Sequence, residues 1–250
     1  MTREEKIVEI LNKKSKVKVN VLAKSLDVSK VTIRKDLNKL EKRGILQREH
    51  GYAVINNEND LNYRLTKNYN IKSKIAKKAA EIVNNGETVI IESGSTCALL
   101  AEELAFNKKN ITIITNSNFI ASYIRKAKDV KIILLGGVYQ KDSQVNVGPL
   151  TQQDAKTFHV DKLFIGIDGF DKKSGFTGMD LIRSQTAQYL SESADNTIIL
   201  TDSSKFKRNT VITAFEVEEI SKIFTDENIT EDIKEFLESK NIEVVLTDEK

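Results

Sequence analysis

The chain is poor in the residues that build disulfide scaffolds and metal centres: its 250 residues include one cysteine, Cys97, and two histidines, His50 and His159. A lone cysteine closes no internal disulfide. Neither histidine lies near it in sequence, so no metal-ligand cluster is recognisable, and no metal or other cofactor is assigned. Long apolar runs are missing as well. Residues 132–135 form an apolar stretch far shorter than the ~20 residues a spanning helix requires. No apolar segment follows the charged start, so neither a membrane nor export is expected, and a cytoplasmic setting is. Internal repeats and low-complexity tracts are also lacking.

What the chain does have is an uneven distribution of charge. Residues 1–57 carry 14 Lys and Arg against 7 Asp and Glu, a balance of +7; the remainder carries 25 against 29, or −4, which together give the net +3 of the whole. The positive charge is therefore localised. Cations that contact phosphates release condensed counterions, so a segment with this excess should bind a polyanion with a salt slope of roughly −0.9 per contact.

The basic segment has a readable pattern. Apolar Ile7, Ile10 and Leu11 mark a first helix, and residues 17–19 are a short β-branched run. Asn20 is expected to cap a second helix that puts Leu22, Ala23 and Leu26 on one face. Asp27 and Val28 turn the chain. Ser29 caps a third helix, whose buried stripe is Ile33, Leu37 and Leu40 at i, i+4 and i+7. At ~100° per residue, Lys35, Asn38 and Lys42 project opposite that stripe, with Thr32 and Arg34 on its flanks and Lys30 at the helix start. Gly44 ends the helix. Residues 45–49 and 52–55 read as two short strands around His50-Gly51. Three helices and a β-wing of this kind form a winged helix-turn-helix, which can lay its third helix in the major groove of duplex DNA or serve as a protein-docking module.

The segment DVSKVTIRKDLNKLEKRGILQREHGYAV resembles the N-terminal domain of the DeoR family of bacterial transcription regulators, whose signature is a Ser, a Thr-Ile-Arg, an Asp-Leu and a His-Gly at these spacings. The resemblance implies that Ser29, Thr32, Arg34 and Lys35 lie where the recognition helix meets a double-stranded DNA operator; Lys30 and Asn38 are further DNA-binding candidates. It places Arg48 and His50 in the wing.

Residues 56–70, with six asparagines, read as a hinge or linker, the alternative being a strand in which Leu61, Tyr63 and Leu65 alternate. The organisation expected is a DNA-binding domain over 1–57, a linker over 58–70 and a second domain over 71–250. The second domain alternates helix and strand. Helical stripes fall at 71–82, 97–104, 118–126, 182–194 and 231–239; short apolar strands fall at 88–91, 111–115, 130–135, 162–167, 197–201, 223–224 and 242–246. That alternation indicates an α/β fold with a mostly parallel sheet covered on both faces.

Ligands of such sheets bind beyond the carboxyl ends of strands, which is where the polar residues fall here. The first strand runs into Ser93-Gly94-Ser95-Thr96 at a helix start, where backbone amides and hydroxyls can converge on a phosphate. The next run into Thr115-Asn116-Ser117, Gly136-Gly137 and Asp168-Gly169. The segments IESGSTC, TNS, LLGG, VGP, DKLFIGIDGF, GFTG, LTDSSKF and FTD are similar, in order and approximate spacing, to the C-terminal sensor domain of the DeoR family. That domain resembles ribose-5-phosphate isomerase. The resemblance implies a phosphorylated sugar or polyol effector, with its phosphate on residues 93–96 and Asn116, Asp168 and Lys205 near the sugar. Together, the basic head, the polar linker and the phosphosugar-like body lead to the expectation of a homo-oligomer, dimer or tetramer, that represses a sugar operon.

An enzyme is the competing expectation. Asp168-Gly169-Phe170-Asp171 resembles the paired-aspartate segment of the isomerase, but Gly175-Phe176-Thr177-Gly178 contains no lysine and Gln185 stands where family members often carry Glu. An amide is no general base. No catalytic residue is therefore assigned. Ala187-Gln188 also replaces a Lys-Arg pair common in the family.

Overall fold

The computed structural model describes residues 3–42, 46–54 and 61–247. The chain divides into two compact units, Met1–Asn70 and Ile71–Lys250.

The first unit contains α1 (Arg3–Lys14), β1 (Lys16–Lys18), α2 (Val19–Ser25), α3 (Lys30–Lys42), β2 (Gln47–Glu49), β3 (Tyr52–Val54) and α4 (Leu61–Thr66). Its core follows the expected stripes: Ile7, Leu11, Leu22, Ile33 and Leu37 are fully buried. Strands β1, β3 and β2 form an antiparallel sheet in that order. At the tip of the β2–β3 hairpin, His50 and Gly51 have φ of +37° and +86°, as a two-residue turn with both residues left-handed requires. Asp36, the acidic residue of the Asp-Leu pair, is buried and accepts two bonds from the Arg3 guanidinium, at 2.5 and 3.1 Å. The pair fastens α1 to α3.

Two local expectations are corrected. Helix α2 begins at Val19 with Lys18 as its N-cap and no side-chain cap bond, so Asn20 lies inside the first turn and caps nothing. Burial of Val19 draws the helix start back by two residues, immediately after Lys18 pairs with Tyr52. Residues 61–66 are neither a loose connector nor a strand: Leu61 and Leu65, spaced i, i+4, are buried along one side of α4, which packs on α1. The expected helix stop at Gly44, and positions 45 and 55 of the wing strands, lie outside the described residues.

In the second unit the order is α5 (Tyr69–Ala80), β4 (Thr88–Ile91), α6 (Ser95–Asn107), β5 (Ile111–Thr115), α7 (Asn118–Ile124), β6 (Val130–Leu134), β7 (Val138–Gln140), β8 (Val145–Val147), α8 (Pro149–Ala155), β9 (Val160–Ile165), β10 (Gly169–Asp171), β11 (Gly175–Gly178), α9 (Leu181–Ser191), β12 (Ala194–Leu200), β13 (Ile212–Phe215), β14 (Lys222–Thr225), α10 (Glu231–Ser239) and β15 (Glu243–Leu246). Seven strands form a sheet of order β15-β14-β12-β9-β4-β5-β6, with every pairing parallel. From β4 the chain winds outward to β5 and β6; it then returns to β9 on the other side of β4 and winds the other way. The reversal between β4 and β9 is a topological switch point, where a crevice opens beyond the strands' carboxyl ends. Apolar side chains on both faces, among them Ile90, Ile114, Phe164 and Phe224, account for the unbroken apolar strands.

Periodicity did not reveal the pieces between β6 and β9, nor the antiparallel sheet β10-β11-β13. Its glycines are set by packing. A Cβ on Gly175 would lie 2.4 Å from the Phe215 carbonyl oxygen, and one on Gly178 would lie 2.4 Å from Ser184 Oγ.

Asp226 ties two strand ends together: its carboxylate accepts from Ser203 N–H at 2.6 Å, Ser203 Oγ at 2.8 Å and Asn228 Nδ2 at 2.9 Å. Burial pushes this carboxyl up, but the Ser203 and Asn228 donors outweigh it, and its pKa lies below the ordinary carboxylate value. A depressed acid stabilises the fold above its unfolded pKa of about 4, and that contribution is lost as pH falls through the lower folded value. Asp226→Asn should therefore flatten the acid limb of a stability-against-pH curve. An acid limb unchanged by the substitution would show that Asp226 does not set it.

Candidate functional site

Helix α3 starts as expected. The Ser29 hydroxyl accepts from Thr32 N–H at 3.1 Å, and the Ser29 carbonyl accepts from Ile33 N–H at 3.1 Å. The Ser29 and Thr32 hydroxyls also bond each other, at 2.8 Å, so both polar side chains belong to the cap as well as to the outer face. Lys30, Arg34, Lys35 and Asn38 are exposed on that face. Val31, 61% exposed, lies among them. It falls outside the apolar stripe, a spacing visible in the sequence; an apolar group here suits a thymine methyl. Ser29→Ala should cost about 1 kcal/mol of stability, read as a lower unfolding midpoint, because Thr32 N–H loses its acceptor. An unchanged midpoint would show the cap to be dispensable.

The wing is more constrained than its sequence suggests. Arg48 donates to Glu41 through Nε at 2.7 Å and through its backbone N–H at 3.0 Å, which joins β2 to the end of α3. His50 stays exposed at the turn.

In the second unit, the candidate residues gather at one edge of the sheet. Ser93 to Thr96 follow β4, Asn116 follows β5, Asp168 follows β9 and Lys205 follows β12; these four strands are consecutive neighbours and all point the same way. Gly94 has φ +114° and no heavy atom within 4 Å of where a Cβ would stand, so its backbone is open to close approach. The first bond inside α6 runs from Ala98 N–H to the Gly94 carbonyl at 2.9 Å. The amides of Ser95, Thr96 and Cys97 precede it and have no carbonyl within the helix to bond, and the first turn contains no acidic residue. Ser93 differs from its neighbours, since its hydroxyl donates to the buried Glu92 carboxylate at 2.6 Å.

Asn116 is fully buried. Its Nδ2 donates to the Asn146 carbonyl at 3.0 Å, while its Oδ1 is buried without a hydrogen-bond partner. Asp168 Oδ2 accepts from Met179 N–H at 3.2 Å and from Arg183 Nη2 at 3.0 Å. Sequence reasoning missed Arg183: it lies 15 residues from Asp168 on a helix whose exposed and buried positions say nothing of that partner. Lys205 is half-buried in a 3-10 turn (Ser203–Lys207), which Asp202 caps by accepting from Ser204 N–H at 3.2 Å.

Gly136 and Gly137 follow β6, the neighbour of β5 at the end of the sheet. Gly136 N–H donates to Asp154 at 2.7 Å, and a Cβ on Gly137 would lie 2.2 Å from Thr151 Oγ1. Close packing of α8 is reason enough for both. Asp171, the second aspartate of the isomerase-like segment, accepts from Lys173 and Ser174 N–H, both at 3.0 Å, and these bonds hold its carboxyl below the usual range. It serves the β10–β11 turn. Among the described residues no group of three or more His, Cys, Asp or Glu side chains is arranged to hold a metal, and no helix is long and apolar enough to cross a membrane.

Comparison with known proteins agrees with this layout. Family models for the DeoR-like helix-turn-helix domain and the DeoR C-terminal sensor domain match residues 3–59 and 67–227. The chain is 32% identical, over 99% of its length and 94% of the relative's, to a protein of Escherichia coli O157:H7 that is named, provisionally, as an aga operon transcriptional repressor. It is 30% identical, over 98% of its length and 99% of the relative's, to the L-fucose operon activator of Haemophilus influenzae. The ribose 5-phosphate isomerase of Methanocaldococcus jannaschii is a similar solved structure, with a TM-score of 0.39 and 19% identity over 56% of this chain and 55% of that one. With both halves matched, the chain belongs to the DeoR family of transcription regulators.

Proposed function

We propose that this chain represses an operon for sugar or polyol catabolism and that a phosphorylated intermediate of that pathway is its effector. The observation that carries the reading is the meeting of residues 93–96, Asn116, Asp168 and Lys205 at four adjacent strand ends, in a protein whose other unit exposes a cationic recognition helix. The α6 amides with the Ser95 and Thr96 hydroxyls suit a phosphate. Asn116 Oδ1 and Asp168 are acceptors, which suit the hydroxyls of a sugar. Lys205 supplies a countercharge. Residues 1–57 bind operator DNA, 58–70 lead to the sensor by way of α4, which packs on α1, and 71–250 sense the effector and associate into a cytoplasmic dimer or tetramer that pairs the recognition helices.

The sensor reading is preferred to an isomerase because Asp171 is committed to a turn and Gln185 offers no base. Effector can shift operator affinity only by its differential affinity for the two arrangements of the DNA-binding domains. The test is fluorescence anisotropy on DNA from upstream of the gene, at two salt concentrations, with and without a panel of phosphosugars. Steep salt dependence and a shift by one compound are expected. Salt-independent binding, or turnover of a phosphosugar by the protein, would overturn the reading.

A further inference from the structure

We propose that Arg183 is a positioning residue for the effector: it sets the Asp168 carboxylate and clamps the β7–β8 hairpin beside it. The inference rests on reading the strand ends as the effector site and adds to it a residue and a moving part. One guanidinium holds two partners from separate segments, Asp168 through Nη2 at 3.0 Å and Ser143, in the hairpin loop, through Nη1 at 2.8 Å. Both ionised side chains are largely buried, 17% and 12% exposed. Desolvating such a pair offsets much of its attraction, so stability alone explains it poorly; fixing the direction of a carboxylate explains it better.

The surroundings point the same way. Arg183 is set by its own helix start, where its N–H donates to Asp180 at 2.8 Å, and the same carboxylate oxygen accepts from Gln140 of the hairpin at 3.2 Å. On its other side, the hairpin reaches Asn116 through Asn146, with Asn146 N–H donating to the Asn116 carbonyl at 2.8 Å. The hairpin thus spans the two sugar-facing acceptors, pinned at one end by Arg183. Only a planar fork with fixed N–H directions meets both demands, which a lysine cannot. A ligand hydroxyl that bonds Asp168 changes what Arg183 holds, and the hairpin feels it.

The experiment uses the full-length protein and compares wild type, Arg183→Gln, Arg183→Lys and Ser143→Ala. Calorimetric titration with pentose, hexose and polyol monophosphates is run beside inorganic phosphate, and hydrogen exchange is followed without ligand. Arg183→Gln should weaken the phosphosugar that wild type binds by about ten-fold or more, as expected for losing a bond to a charged group. Inorganic phosphate, which needs only the α6 amides, should change less than about two-fold. Arg183→Lys should recover part of the phosphosugar affinity. Exchange at residues 138–147 should quicken in Arg183→Gln and Ser143→Ala while β4 and β5 stay protected. Equal loss on both ligands, or unchanged affinity and unchanged hairpin exchange, would overturn the proposal. If no phosphosugar binds wild type yet hairpin exchange still responds, the clamp stands and the effector reading fails instead.

Discussion

Replacing Gly94 with alanine should lower affinity for the phosphorylated effector by about ten- to hundred-fold while leaving the fold intact. Space is not the reason, since nothing lies within 4 Å of the added carbon. Conformation is: at φ +114° and ψ 161° an L-residue is strained by roughly 1–3 kcal/mol, and it relieves the strain by turning the peptide that presents the Ser95 amide. The amides at the start of α6 then no longer converge. Circular dichroism should match wild type, and the loss should appear equally for inorganic phosphate and for the phosphosugar, in contrast to Arg183→Gln. Wild-type affinity in Gly94→Ala would remove the α6 start from the site.

The second large effect lies in the other unit. Arg34→Ala should cost about 1–3 kcal/mol of operator binding, some 5- to 150-fold, because a guanidinium exposed on α3 can pair with a guanine edge in the major groove. Random DNA should lose far less. A phosphate-contacting lysine on the same face, such as Lys35, should instead weaken all sequences about equally and lower the salt slope by about one. Equal loss on operator and random duplexes would take base reading away from Arg34.

How far the sequence could be read follows from the range of the interactions. The Ser29 cap, the Ile33-Leu37-Leu40 stripe and the glycine after β4 are local signals, carried by spacings of one helical turn or by a single residue's conformation. They placed α3 and the start of α6 without help from the rest of the chain. Strands such as β7, β8 and β10 are three residues long, too short for any period to declare itself, and β13 pairs with β11 across 30 or more residues. Helix α4 was hidden by composition: the asparagines of residues 56–70 suggested a connector, while two leucines four apart were enough to bury a face.

The candidate site shows the same division. Strand-end positions single out Asp168 and Asn116, but the residues they bond, Arg183 and Asn146, are 15 and 30 residues away. At Gly137 the space a side chain would need is taken by Thr151 and the Val147 backbone, a packing demand that the sequence does not announce.

The most direct test of the whole account is reciprocal linkage measured on one sample: operator affinity with and without saturating effector, and effector affinity with and without operator. Coupling between two sites must appear as the same factor in both directions, typically about 5- to 150-fold. The account predicts a factor in that range, equal in both titrations. A phosphosugar that binds residues 71–250 tightly while operator affinity stays unmoved would contradict it.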